Sequence, residues 1–135
     1  MTSICFDTAF LIDFLRGNKQ AYSYYMKTRG KSVVFATTSI NIFELFRGIE
    51  KRGRKSQDEQ AARKLLSRLI IWNLDYDSAE YASTIFTKLE RKGTPIPIND
   101  CFMAAIAVRN GCTQIVSEDR HFERIEQITM EKYLE

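Results

Sequence analysis

The sequence predicts an α/β protein, a three-layer sandwich in which a short, mostly parallel sheet is flanked by helices. Three observations lead there. Short apolar runs with no helical period, at residues 4–6, 32–36, 70–74 and 113–117, alternate with longer stretches whose apolar residues recur at helical spacing. Strands joined through helices pair in parallel and are covered on both faces, so they read as continuous apolar runs instead of alternating ones. At 135 residues the chain fits one domain, residues 1–135, with enough length for a real core.

Taken in order, residues 4–6 (Ile-Cys-Phe) form a strand that stops at Asp7-Thr8, after which Phe10, Leu11, Phe14 and Leu15 carry a helix to Gly17. A carboxylate at the C-terminal end of such a strand stands at the crevice where open α/β sheets bind ligands. Asp7 there is either a helix N-cap or a metal ligand or catalytic acid. Asn18 caps a second helix, which runs through Tyr22, Tyr25 and Met26 to Gly30. Residues 32–36, short and β-branched, are the second strand. Thr37, Thr38 and Ser39 then cap a helix bearing Ile42, Leu45, Phe46 and Ile49 on one face. Glu44 lies beside that stripe, either as a boundary glutamate in water or as a functional group. Residues 53–58 are a polar break, the turn of a helical hairpin, and residues 58–68 form its second helix with Ala62, Leu65, Leu66 and Leu69 buried.

Residues 70–74 make the third strand, and Asp77-Ser-Ala-Glu80 resembles a capping box opening a helix with Ala82, Ile85, Phe86 and Leu89 inward. Lys88, Arg91 and Lys92 suit the negative end of that helix and Gly93 its C′ position. Pro95 and Pro97 keep residues 94–100 extended, and residues 101–110 form a dense apolar helix closed by Gly111. Residues 113–117 are the fourth strand, Glu118-Asp119 an acidic turn, and residues 126–129 a short last strand.

Composition narrows the function classes. Hydrophobic residues make up 44% and charged residues 27%, ordinary for a soluble globular protein. No apolar run approaches the ~20 residues of a membrane span. Asp7, Asp13 and Arg16 interrupt the N-terminus where a signal peptide needs its apolar segment, so the expected location is cytoplasmic. Cys5, Cys101 and Cys112 are odd in number, lack C-x-x-C spacing and sit among apolar residues, which predicts reduced, buried thiols. Net charge is only +3, but residues 47–68 hold eight Lys/Arg against Glu50, Asp58 and Glu59. There is no glycine-rich phosphate loop and no G-x-S-x-G elbow; a His-based triad would rest wholly on His121, and a lone His on a turn reads as structural.

The acids supply the chemistry. Asp7 and Asp119 follow strands, Asp100 opens a helix, and Glu44 sits early in the helix after the second strand. Strand ends and helix starts share one edge of a parallel sheet, so these carboxylates are placed to converge there, and hard cations such as Mg²⁺ and Mn²⁺ take oxygen ligands.

At these residues the chain resembles a known family. Residues 4–17 (ICFDTAFLIDFLRG), 39–48 (SINIFELFRG), 99–107 (NDCFMAAIA) and 115–122 (IVSEDRHF) look, in order, like the four signature blocks of PIN-domain ribonucleases. More narrowly, they look like the VapC-type toxins of toxin–antitoxin pairs. The resemblance implies a Mg²⁺- or Mn²⁺-dependent endoribonuclease, the toxin of a type II pair, hydrolysing RNA with a metal-activated water. By position, Asp7, Glu44, Asp100 and Asp119 match the family's acidic quartet as catalytic and metal-binding residues, with Thr8 and Ser117 as supporting polar groups. Asp119 is taken over Glu118 because it precedes the His-Phe pair. The implied partners are RNA, a small cognate antitoxin and a second copy of the chain; the aromatic clusters Tyr22-Ser-Tyr-Tyr25 and Phe43/Phe46 also suggest more contact surface than one core needs. Arg16, Arg47, Lys51 and Arg52 are the candidates for the RNA backbone. Two other readings fit the same residues: a PIN-like nuclease of RNA processing or decay without an antitoxin, and a catalytically silent PIN-like binding module.

Overall fold

The computed structural model describes residues 1–134. The elements follow as β1 (Thr2–Phe6), α1 (Thr8–Leu15), α2 (Lys19–Thr28), β2 (Val33–Thr38), α3 (Ser39–Lys51), α4 (Ser56–Leu66), β3 (Ile70–Trp72), α5 (Tyr76–Arg91), α6 (Ile98–Arg109), β4 (Gln114–Val116), a 3₁₀ turn (Arg120–Arg124) and β5 (Thr129–Glu131). The five strands form one sheet of order β3-β2-β1-β4-β5, parallel at every pairing. The chain steps outward from β1 to β3 on one side, then returns to lay β4 and β5 on the other. That reversal makes the C-terminal ends of β1 and β4 the topological switch point, where an α/β sheet opens a crevice.

Two cores, one on each face, produce the three layers. Ile4, Phe6, Phe35 and Val116 pack with Phe10, Leu11, Leu45, Ile49, Ala62 and Leu65 from α1, α3 and α4. Cys5 and Ile115 point the other way, to Ala82, Ile85 and Leu89 of α5 and Met103, Ala104 and Ala107 of α6. Alternate residues of β1 therefore serve opposite cores, which is why its sequence shows no polar alternation. α6 buries Cys101, Met103, Ala104, Ala105, Ile106 and Ala107, so its middle turns are apolar all round while Ile98 and Arg109 at its ends stay exposed. All three cysteines are free and buried. No helix among the described residues is long and apolar enough to cross a membrane.

Element ends differ from the sequence reading where a nearby polar group competes for the cap. α5 starts at Tyr76 because Asp75, not Asp77, accepts from the Ser78 amide at 2.8 Å. α6 starts at Ile98 with Pro97 as its N-cap residue, so proline ends the extended entry and Asp100 lies inside the first turn. The last strand is Thr129–Glu131, later than residues 126–129, since Ile125 and Ile128 turn into the core instead of extending. Gly93 and Gly111 follow α5 and α6 with φ of +74° and +78°, the left-handed C′ conformation that favours glycine. The aromatic clusters divide: Tyr24 and Tyr25 join the ring stack of Phe10, Phe14 and Phe35, whereas Tyr22 and Phe43 stay on the surface.

Candidate active site

Parallel pairing sets the first two groups side by side. Phe6 of β1 is in register with Val116 of β4, so the next residues, Asp7 and Ser117, leave the sheet as neighbours, and the Asp7 amide donates to the Val116 carbonyl at 3.2 Å. Asp7 does cap α1: its Oδ1 accepts from the Phe10 amide at 2.8 Å. The cap and site readings are therefore compatible, because that bond engages one carboxylate oxygen. The side chain is buried at 7% exposure, and Ser117 beside it is fully buried.

The turn after β4 separates its two acids. The Ser117 hydroxyl accepts from the Asp119 amide at 2.9 Å, and Asp119 in turn accepts from the His121 amide at 3.0 Å, capping the 3₁₀ turn. Glu118 faces away, accepting from the amides of Tyr133 and Leu134 at 2.7 and 3.0 Å. It ties down the C-terminal segment. Asp119 is thus the acid that faces the site. His121, which the sequence reads as structural, reaches back over the cluster: its Nδ1 is 2.7 Å from Asp119 and 3.3 Å from Asp100.

Glu44 approaches from α3 and is gripped on both oxygens. Thr8 Oγ1 donates to Oε1 at 2.5 Å and Asn99 Nδ2 donates to Oε2 at 3.1 Å. Behind them, Asn41 Nδ2 donates to Thr8 Oγ1 at 3.0 Å, while its Oδ1 accepts from the Thr38 hydroxyl at 2.7 Å within the capping box that starts α3. Asn41 and Asn99 are the supports that sequence reading left unassigned. Asn41 carried a usable signal: a polar residue three positions after a Thr cap can complete a capping box.

Electrostatics bind these groups into one site. Burial, then the charges of Asp100 and Asp119, push the Asp7 carboxyl up to about 6, against the hydrogen bonds from Ser117 and Phe10. Burial, then Asp119 and Glu44, push Asp100 up to about 6 as well, with His121 pulling the other way. Asp7 and Asp100 therefore each feel neighbouring carboxylates, and His121 offsets part of this at Asp100. Oxygen atoms of Asp100 and Asp119 and a ring nitrogen of His121 all lie within 4.8 Å of one another. Carboxylates predominate in this donor set, which fits a hard divalent cation.

The basic residues do not form a single track. Arg16 and Arg52 line one cleft of about 290 Å³ between α1, α3 and α4, floored by Ile12, Leu15 and Leu45. Arg47 lines a different surface with Phe43 and Phe46. The acids between residues 47 and 68 are all engaged: Asp58 with Arg52, Glu50 with Arg54, and Glu59 with Arg54 and Arg63. These pairs engage Arg52, Arg54 and Arg63 and leave the net positive excess of residues 47–68 unchanged.

Residues 4–128 match the PIN domain family. Ribonuclease VapC2 of Rickettsia felis is 30% identical over 118 residues, 86% of this chain and 88% of that protein. The tRNA(fMet)-specific endonuclease VapC of Salmonella typhimurium is 31% identical over 96 residues, 71% of this chain and 73% of that protein. The crystal structure of VapBC2 from Rickettsia felis, bound to a DNA fragment from their promoter, matches with a TM-score of 0.87 at 25% identity, covering 98% of this chain and 99% of that one.

Proposed function

This chain belongs to the PIN-domain family, and we propose that it works as the endoribonuclease toxin of a type II toxin–antitoxin pair, with Asp7, Glu44, Asp100 and Asp119 as its catalytic and metal-binding centre. The observation that carries the proposal is the close approach of Asp100, Asp119 and His121, near enough to Asp7 at the end of β1 for both acids to act on its charge, with two carboxyls pushed up to about 6. A site assembled from mutually repelling carboxylates favours binding a cation.

When bound, Mg²⁺ or Mn²⁺ supplies Lewis acidity and offsets charge at a phosphodiester. Asp7, Asp100 and Asp119 would hold it. Asp119 is held by the Ser117 hydroxyl and the His121 amide and already lies beside Asp100, whereas Asp7, fixed by its cap bond to Phe10, stands outside that close group and would have to approach it to share the ion. Glu44 already accepts a hydrogen bond on each oxygen, which suits a group that orients a water more than one that surrenders both lone-pair sets to a ligand. Thr8 and Asn99 hold its angle. Arg16 and Arg52, sharing one cleft, and the exposed Arg47 and Lys51 are placed to neutralise RNA phosphates. A small antitoxin is the protein partner, consistent with the VapBC assemblies among its structural relatives. The exposed Tyr22, Phe43, Tyr76 and Ile98 offer apolar contact area for it or for a second copy of the chain.

Cleavage of RNA by the purified chain in Mg²⁺, in Mn²⁺ and in EDTA tests the proposal. The expected products carry 5′-phosphate and 3′-hydroxyl ends, and EDTA abolishes them. Cleavage that survives EDTA and leaves 2′,3′-cyclic phosphates would overturn it.

A further inference from the structure

We infer that His121 is a ligand of the divalent cation, so that the centre is a mixed nitrogen–oxygen site selecting borderline transition metals over Mg²⁺. The inference rests on the reading of the acidic cluster as a metal centre and adds a residue with a distinct role.

The placement of the ring supports this. His121 Nδ1 is 2.7 Å from Asp119 Oδ1 and 3.3 Å from Asp100 Oδ2. Those separations bracket the ~3 Å edge of an octahedron with metal–ligand bonds of about 2.1 Å. One cation can therefore touch all three atoms after movements of a fraction of an ångström. The ring is not free to drift from this position: its own amide is held by Asp119 at 3.0 Å, and the next residue, Phe122, is buried in the core at 1% exposure. Its side chain keeps 38% exposure, which leaves a route for an ion to enter.

The atoms also balance. A carboxylate only accepts, so the tautomer that hydrogen-bonds Asp119 at 2.7 Å is the one with its proton on Nδ1. Coordination through Nδ1 uses its lone pair, and the proton passes through solvent to Nε2, leaving a neutral imidazole of the other tautomer. Imidazole nitrogen favours Mn²⁺, Co²⁺ and Zn²⁺ over Mg²⁺, whereas carboxylates alone discriminate less.

Calorimetric titration of tag-free, metal-free protein with Co²⁺ and with Mg²⁺, without RNA, reads the inference in wild type, His121→Asn and Asp100→Asn. His121→Asn should lower Co²⁺ affinity on the order of 10-fold or more and leave Mg²⁺ affinity within about threefold. Asp100→Asn should weaken both ions. The chain has one histidine, so the imidazole ¹⁵N spectrum of wild type gives a second measurement that needs no variant. Saturating Zn²⁺ should shift Nδ1 and fix the proton on Nε2, and Mg²⁺ should leave the metal-free tautomer. An unchanged Co²⁺-to-Mg²⁺ ratio in His121→Asn, with a ring that Zn²⁺ does not perturb, overturns the role of His121 alone. Absence of any binding sensitive to Asp100→Asn overturns the metal centre, and this inference with it.

Discussion

Neutralising Asp7 should make the metal-free protein more stable while disabling it. The carboxyl is 7% exposed and moves from 3.8 to about 6 on folding, pushed by burial first and by Asp100 and Asp119 next. At about 1.4 kcal/mol per tenfold change in proton affinity, a shift of that size opposes the ionised form by roughly 3 kcal/mol. Asparagine is as good an N-cap as aspartate, so Asp7→Asn can keep the bond to the Phe10 amide and remove only the charge. The sign follows from linkage. A carboxyl raised on folding loses native stability as pH rises from the unfolded value of 3.8 through about 6, and the full penalty stands above that. The stability difference between Asp7→Asn and wild type should therefore be small near pH 3.5, reach about a third of its full size near pH 4.5, and grow to about 1–3 kcal/mol by pH 7.5, a melting-temperature gain of several degrees. The assay is thermal melting of both proteins in EDTA across that range, repeated with millimolar Mn²⁺. Added metal should stabilise wild type preferentially, by about 1.4 kcal/mol at ten times its dissociation constant, and narrow or reverse the gap. A variant that melts below wild type at pH 7.5 in EDTA, with a difference that does not vary with pH, would refute the reasoning.

Other expectations follow from the same contacts. Thr8→Val and Asn99→Ala each free one oxygen of Glu44, and single-turnover cleavage should slow on the order of 10- to 100-fold with little change in RNA affinity; unaltered rates would remove Glu44 from the working site. Arg47→Ala and Lys51→Ala should each flatten the salt dependence of RNA binding by about one unit if they touch phosphate, and Arg52→Ala by less, since Asp58 already engages it; a filter-binding series in KCl checks this. Ala105→Leu should destabilise by about 1–3 kcal/mol in denaturant melts, because that alanine is fully buried in the middle turns of α6.

Much of the architecture was legible because strands buried on both faces leave an unmistakable mark. The runs around Ile4, Phe35 and Ile115 could be little else between amphipathic helices, and their alternation dictated a parallel sheet. Cap choice was less legible. Asp75 and Asp77 are both acceptable caps by type, and only the path of the chain after Trp72 decides that Asp75 meets the Ser78 amide. The carboxylates were legible as candidates from their positions at strand ends and helix starts, but their surroundings were not. Glu118 and Asp119 are adjacent and chemically similar, and the distinction depends on the C-terminal segment returning to offer the Tyr133 and Leu134 amides. His121 reads as an ordinary turn residue until the packing of α6 brings Asp100 within 3.3 Å of its Nδ1. The basic stretch was legible as a charge excess but not as a surface, since folding sets Arg16 and Arg52 in one cleft and Arg47 beside Phe43 and Phe46 in another.

As proposed, these carboxylates are the active centre of a metal-dependent endoribonuclease. The most direct measurement maps RNA ends in cells expressing wild type or Asp100→Asn at equal levels, with circular dichroism of both purified proteins confirming the fold. Wild type should generate discrete new 5′-phosphate ends that Asp100→Asn fails to produce, a loss on the order of 10² to 10⁴ in rate. The same ends at the same frequency from a folded Asp100→Asn protein would contradict the claim.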